Sequence, residues 1–81
     1  MENIKEVLSQ NLIKYRKDAN LTQADLAKKI NYSDKSISKW ERGEAYPDIF
    51  TLKEIASVYG VTVDRLLNES PKDKPKNAKK R

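Results

Sequence analysis

Apolar residues recur at helical spacing along most of the chain, and short polar breaks divide them into five segments. The first segment predicts a helix over about residues 3–17, whose apolar stripe is formed by Leu8, Leu12, Ile13 and Tyr15. The second predicts a helix over about residues 23–30, with an inner face of Leu26, Ala27 and Ile30. Alternating apolar and polar runs, which indicate strands, do not occur, so the pattern predicts an all-α fold.

Polar capping residues mark where the later helices begin, and glycines mark where two of them end. Thr22 precedes the second helix, and Ser33 precedes a third that runs to residue 42, before Gly43. Asp48 precedes a fourth helix that runs to residue 59, before Gly60. The inner face of the fourth helix consists of Leu52, Ile55, Ala56 and Tyr59, and a short fifth helix containing Val63, Leu66 and Leu67 is expected after the cap residue Thr62.

The last twelve residues differ in composition from the rest. Residues 70–81 consist of Ser, Pro, Lys, Asp, Asn and Arg with one alanine, and the absence of apolar periodicity predicts a disordered basic tail or linker. They hold six Lys/Arg and one Asp, which is the whole net charge of +5, whereas residues 1–69 hold eleven basic and eleven acidic residues. We therefore expect one small domain over residues 1–69, in which residues 28–42 carry a net +3 and residues 43–69 a net −3.

The composition excludes several classes of chemistry. The chain has neither cysteine nor histidine, so it lacks thiolate and imidazole metal ligands, and no metal or cofactor site is predicted. Without a glycine-rich phosphate loop or a nucleophile–base pair, an enzyme is disfavoured. No apolar run approaches the ~20 residues that span a bilayer, so we expect a cytoplasmic protein with no membrane partner.

The third helix has two chemically different faces. A helical wheel places Ile37 and Trp40 on the inner face, together with Glu41, whose carboxylate there needs a cation. The opposite face carries Lys35, Ser38, Lys39 and Arg42. Any amphipathic surface helix shares this pattern, but here a short helix and a three-residue break precede it. That arrangement is typical of a DNA-binding helix-turn-helix, predicted over about residues 22–42.

Five separated sequence blocks resemble the Cro/C1-type (XRE) helix-turn-helix family over about residues 10–68. In order, they are Thr22-Gln23-x-x-Leu26-Ala27; Ser33-x-x-x-Ile37-Ser38-x-Trp40-Glu41-Arg42-Gly43; Pro47; Leu52-x-x-Ile55-Ala56; and Val61-Thr62-Val63-Asp64-x-Leu66-Leu67. The resemblance implies a compact five-helix domain of the lambda-repressor-like fold. It also implies binding to double-stranded operator DNA, as a homodimer on a palindromic site.

The resemblance also implies roles for individual residues. Gln23 takes the place of a glutamine that contacts the DNA backbone and braces the recognition helix. The groove-facing positions fall on Ser33, Asp34, Lys35, Ser36 and Lys39. Lys35 and Lys39 are each able to donate to guanine O6 and N7 or to reach only a phosphate. Phosphate contacts near the ends of this helix fall on Tyr32, Arg42 and Tyr46.

Two acidic residues of the motif have structural alternatives. Asp34 stands where phage repressors often have glutamine; it either accepts a hydrogen bond from cytosine N4 or simply favours the positive first turn of its helix. For Glu41, the resemblance points to Arg16 as the cation, and we expect a partly buried ion pair that joins the first helix to the recognition helix.

These observations favour a sequence-specific DNA-binding transcriptional regulator, most simply a repressor. The alternative is an antitoxin or other protein-interaction module that binds DNA secondarily, although a tail with only Ala78 as an apolar residue disfavours it. The tail either adds phosphate contacts or leads to a C-terminal domain absent from this chain. For the dimer, the resemblance suggests an interface on the fourth and fifth helices that includes exposed Val58, Val61 or Leu67.

Overall fold

A computed structural model describes residues 3–68. Over that range the chain forms five α-helices and no strand, which confirms the predicted all-α fold: α1 (Ile4–Asp18), α2 (Gln23–Ile30), α3 (Asp34–Arg42), α4 (Ile49–Tyr59) and α5 (Val63–Asn68). Observed and predicted helix limits agree within one or two residues. The predicted disordered basic tail, residues 70–81, lies outside the described residues.

Side-chain caps begin the helices of the predicted motif. Thr22 accepts a hydrogen bond from the Asp25 amide, and the Asp25 carboxylate accepts one from the Thr22 amide, so a reciprocal capping box starts α2. Ser33 accepts from the Ser36 amide at 3.2 Å at the start of α3, and Asp48 caps α4 in the same way. Each cap satisfies a backbone amide that the helix leaves free.

A residue with left-handed backbone conformation ends each of α2, α3 and α4, and another follows the end of α1. Asn20 (φ 64°) follows α1, and Asn31 (φ 67°) ends α2, as asparagine tolerates this region. Gly43 (φ 77°) and Gly60 (φ 73°) end α3 and α4. At Gly43 the conformation coincides with close packing, because a β-carbon there would lie 3.3 Å from Ser9 Oγ. The Asn31 turn redirects the chain between the two helices of the motif.

Each helix contributes one large apolar side chain that is almost completely inaccessible to solvent. They are Leu12, Leu26, Ile37, Ile55 and Leu66, none more than 2% exposed. Trp40 and Tyr15 belong to the same cluster, so the aromatic side chain of α3 is part of the core. Burial of these side chains is the main favourable contribution to a domain of this size.

The apolar stripe of α1 differs from the prediction at two positions. Ile13 is only half-buried, whereas Val7 is 6% exposed, because the buried face of α1 follows residues 7, 8, 11, 12 and 15. This face includes Asn11, whose Nδ2 donates to the Leu66 carbonyl at 3.0 Å. The amide thus joins α1 to α5 and satisfies a carbonyl at the end of a short helix.

The apolar residues suggested for a dimer interface are less available than expected. Val58, Val61 and Leu67 are half-buried, because they pack against the core cluster. The large apolar side chains that are most exposed are Ile49 (68%) and Phe50 (81%), at the start of α4. None of the helices described over residues 3–68 is both long enough and apolar enough to cross a membrane.

Candidate nucleic-acid interface

The third helix has a buried face and, opposite it, an exposed face. Ile37 and Trp40 of α3 are buried, while Lys35 and Lys39 are exposed, as the helical wheel predicts. Trp40 contacts Tyr32 of the turn edge-on, with ring centroids 5.1 Å apart and planes at 67°. This aromatic contact anchors the turn against the buried side of α3 and leaves the opposite side open to a partner.

The two lysines of α3 are one helical turn apart and have no competing anion within ion-pair distance among the described residues. Their ammonium groups are therefore available to acceptors outside the chain. Lysine is a flexible point charge, so this geometry suits a guanine edge and a backbone phosphate equally well.

The first turn of α3 brings three small polar side chains together. Ser33 Oγ accepts from the Ser36 amide and lies 3.3 Å from Ser36 Oγ, so Ser33 performs its capping role. Asp34 is exposed in the same turn, where the amides at the helix N-terminus favour a negative charge. This position is compatible with both roles considered for Asp34, the structural one and the one in base recognition.

A nearly buried ion pair joins α1 to α3. Arg16 Nε lies 2.6 Å from Glu41 Oε2 and Nη2 lies 3.2 Å from Oε1, with side-chain exposures of 12% and 6%. Arg16 Nη1 also donates to the Leu21 carbonyl at 2.8 Å. The hydrogen bond to Glu41 raises the pKa of the Arg16 guanidinium above its usual value. The pair thus fixes α1, its following loop and the recognition helix relative to one another.

Gln23 is bound to the same carboxylate. Its Nε2 donates to Glu41 Oε1 at 2.9 Å, so the first residue of α2 is fastened directly to α3. Sequence reasoning placed Gln23 in the motif and Glu41 on the inner face, but it did not connect them. The Nε2 amide carries two hydrogens, so this hydrogen bond leaves one of them to donate to another acceptor.

Tyr59 of α4 lies beside this network, and sequence reasoning did not connect it to the motif. Burial raises the pKa of its phenol, with a smaller contribution from the negative charge of Glu41. Its hydroxyl is buried and has no hydrogen-bond partner among the described residues. The Tyr59 phenol therefore lies close enough to Arg16 and Glu41 for both charges to affect its pKa.

The end of α3 carries a second, exposed ion pair. Arg42 Nε lies 2.9 Å from Glu44 Oε2, and Nη2 lies 3.0 Å from Oε1, in a bidentate arrangement. Arg42 Nη1 donates to Ser38 Oγ. The contact raises the pKa of Arg42 and lowers that of Glu44, because each charge favours the other. Sequence reasoning selected Arg42 and Ser38 but not Glu44.

The two tyrosines proposed for phosphate contacts both use their hydroxyls within the chain. The Tyr32 hydroxyl is 3.1 Å from Thr51 Oγ1, and the Tyr46 hydroxyl donates to the Gly43 carbonyl at 3.0 Å. Both rings remain about two-fifths exposed. Since a phosphate oxygen accepts hydrogen bonds, Tyr46 must release Gly43 before its hydroxyl can donate to DNA.

A model of the helix-turn-helix family matches residues 12–66, which is more than half of the chain. The chain therefore belongs to the helix-turn-helix family, of the Cro/C1 (XRE) type, and the predicted resemblance is confirmed.

Known proteins share both sequence and fold with this chain. It is 42% identical over 60 residues to the HTH-type transcriptional activator BcrR of Enterococcus faecalis, covering 74% of this chain but only 29% of BcrR. The clp gene regulator ClgR of C. glutamicum superposes with a TM-score of 0.74 at 26% identity, covering 82% of this chain and 85% of that one. The DNA-binding domain of the P22 C2 repressor gives 0.73 at 29% identity, covering 76% and 82%.

Proposed function

We propose that this protein is a transcriptional regulator that binds double-stranded DNA sequence-specifically and places α3 in the major groove. The observation that carries the proposal is the division of α3 into a buried face of Ile37 and Trp40 and an open face with Lys35 and Lys39. A helix anchored by its inner side chains is presented rigidly, and B-DNA admits a helix into its major groove. The family relationship supports the same reading.

The residues of α3 would make different kinds of contact with DNA. Lys35 and Lys39 would donate to guanine edges or phosphates, and the remaining groove-facing positions are Ser33, Asp34, Ser36 and Ser38. Asp34 would restrict the operator, because a carboxylate in the groove is tolerated only opposite a donor such as cytosine N4. Phosphate contacts from Tyr32, Arg42 and Tyr46 would fix the orientation of the protein on the duplex.

Gln23 would contact the DNA backbone and would also hold α3 in place. The hydrogen bond from its Nε2 to Glu41 uses one of the two amide hydrogens, so the second one and the backbone amide at the start of α2 would donate to a phosphate oxygen. Arg16, which holds the same carboxylate, would act indirectly by keeping α3 at a fixed angle. A loss of this brace would weaken DNA binding without removing any group that touches DNA.

The finer features of the proposal concern assembly and regulation. Binding as a homodimer would place two copies of α3 about 34 Å apart, one turn of DNA, on a palindromic operator. Repression by blocking a promoter is the simplest mode, and a cytoplasmic location follows from a DNA target. A relative called an activator and a neighbour called a repressor share this architecture, so a promoter–reporter fusion in cells with and without the protein decides the direction.

Selection of bound duplexes from a random DNA pool tests the proposal. The expected result is an enriched motif with two inverted half-sites spaced by one helical turn. Enrichment of a single unpaired half-site would overturn the dimer but preserve the recognition helix. A pool that stays random after repeated selection at moderate salt would overturn sequence-specific binding itself.

A further inference from the structure

The guanidinium at the end of the recognition helix is already occupied by acceptors of its own chain. Glu44 accepts from Arg42 Nε and Nη2 at 2.9 and 3.0 Å, and Ser38 accepts from Nη1. Both charged side chains are 54% exposed, so the pair lies on the surface and is open to exchange with an outside anion. A phosphate that binds Arg42 through the same Nε and Nη2 edge must therefore displace the carboxylate first, whereas Nη1 and Nη2 each keep one further N–H.

The backbone conformation after α3 holds Glu44 close to Arg42. Gly43, with φ 77°, turns the chain back at the end of α3, and the Glu44 amide donates to the Lys39 carbonyl at 2.9 Å. Because the helix-ending turn fixes the backbone of Glu44, its short side chain remains within reach of Arg42. The contact is thus built into the helix terminus and does not depend on a freely moving loop.

A carboxylate and a phosphate offer a guanidinium the same bidentate pair of acceptors. We infer that Glu44 acts as an internal competitor for DNA phosphate at Arg42 and lowers the sequence-independent part of DNA affinity. The inference rests on the proposed function, because it concerns how tightly the proposed DNA-binding face of α3 binds DNA. Phosphate contacts position a protein without reading sequence, so the competition weakens binding to operator and random DNA by the same factor.

The test uses Glu44→Gln, which keeps the size of the side chain and removes the anion. Binding to a fluorescently labelled random-sequence duplex, followed by anisotropy at low salt, should tighten by about two- to fivefold, the range for an exposed ion pair. The matched control is Glu54→Gln, which removes an exposed carboxylate from α4 that forms no ion pair among the described residues. Thermal melts of both variants check that the fold is unchanged.

The decisive comparison repeats Glu44→Gln in a protein that also carries Arg42→Gln. There the gain should fall to that of Glu54→Gln, because no guanidinium remains to be released. Weaker binding by Glu44→Gln would overturn the inference and make Glu44 a positioning residue for Arg42. An effect equal to that of Glu54→Gln in both backgrounds would also overturn it. A wild-type protein that binds neither random nor selected duplexes would instead overturn the proposed function.

Discussion

Arg16 and Glu41 form an ion pair with an Nε–Oε2 distance of 2.6 Å, although 25 residues separate them in sequence. The pair crosses from α1 to α3, and its carboxylate also holds Gln23 of α2. Three helices therefore meet at one carboxylate behind the recognition face. This arrangement links the stability of the domain to the orientation of the helix that we propose reads DNA.

Removing the carboxylate should destabilise the whole domain. Glu41→Ala leaves the Arg16 guanidinium nearly buried without its anion, and we expect a loss of about 3 kcal/mol in the free energy of unfolding. Urea denaturation followed by circular dichroism measures it. Glu54→Ala, an exposed change on α4, is the control and should stay within about 0.5 kcal/mol of the wild type. A Glu41→Ala curve that overlays the wild type would show that the pair contributes nothing to stability.

Acid should weaken the start of α4 through Asp48. Hydrogen bonding to the Thr51 amide lowers the pKa of the Asp48 carboxyl below its ordinary value of 3.8. A lowered folded-state pKa means that the stabilisation is present above that ordinary value and is lost as pH falls through the folded-state value. The melting temperature should therefore drop between about pH 4 and pH 2.

Asp48→Asn separates this titration from the cap itself. Asparagine is an equally good cap but carries no proton that titrates in this range, so the Tm at pH 7 should be unchanged and the acid-induced drop should be smaller. Thermal melts across the pH series compare the two proteins. If the variant lost as much Tm in acid as the wild type, other carboxylates would be responsible for the pH dependence.

The helices and their caps could be predicted because the signals are local. Ser33 and Gly43 delimit α3 within the sequence itself, and the wheel correctly assigns Ile37 to the core. Contacts between residues that are far apart in the sequence leave no local sequence pattern from which they could be predicted. The hydrogen bond from Asn11 to the Leu66 carbonyl spans 55 residues and depends on how α5 packs on α1.

The candidate site was predictable to a smaller extent. Sequence reasoning selected Arg42 as a cation and missed Glu44, although only two residues separate them, because the pairing requires the left-handed turn at Gly43. It also expected Val58 to be exposed, and the packing of α4 against the core half-buries that side chain. Both differences arise from the direction in which a side chain leaves the backbone, which residue type alone does not determine.

The basic segment over residues 70–81 should strengthen binding without changing its specificity. Deleting these residues removes six positive charges, and each one that contacts a phosphate contributes about 0.9 to the slope of log K against log salt. We expect a shallower slope with the same preferred operator, measured by anisotropy over a salt series. A truncated protein that retains the full slope would instead indicate that the segment is a linker.

Lys35 and Lys39 on the open face of α3 are the residues that we propose recognise DNA. The most direct measurement is an anisotropy titration of the Lys35→Ala plus Lys39→Ala variant against the selected operator and a random duplex. Lys17→Ala plus Lys53→Ala, which removes the same charge from exposed positions on α1 and α4, is the matched control. We expect that only the α3 variant loses discrimination between the two duplexes, while its melting temperature stays close to that of the wild type. Equal operator affinity of the α3 variant and the wild type would contradict the proposal.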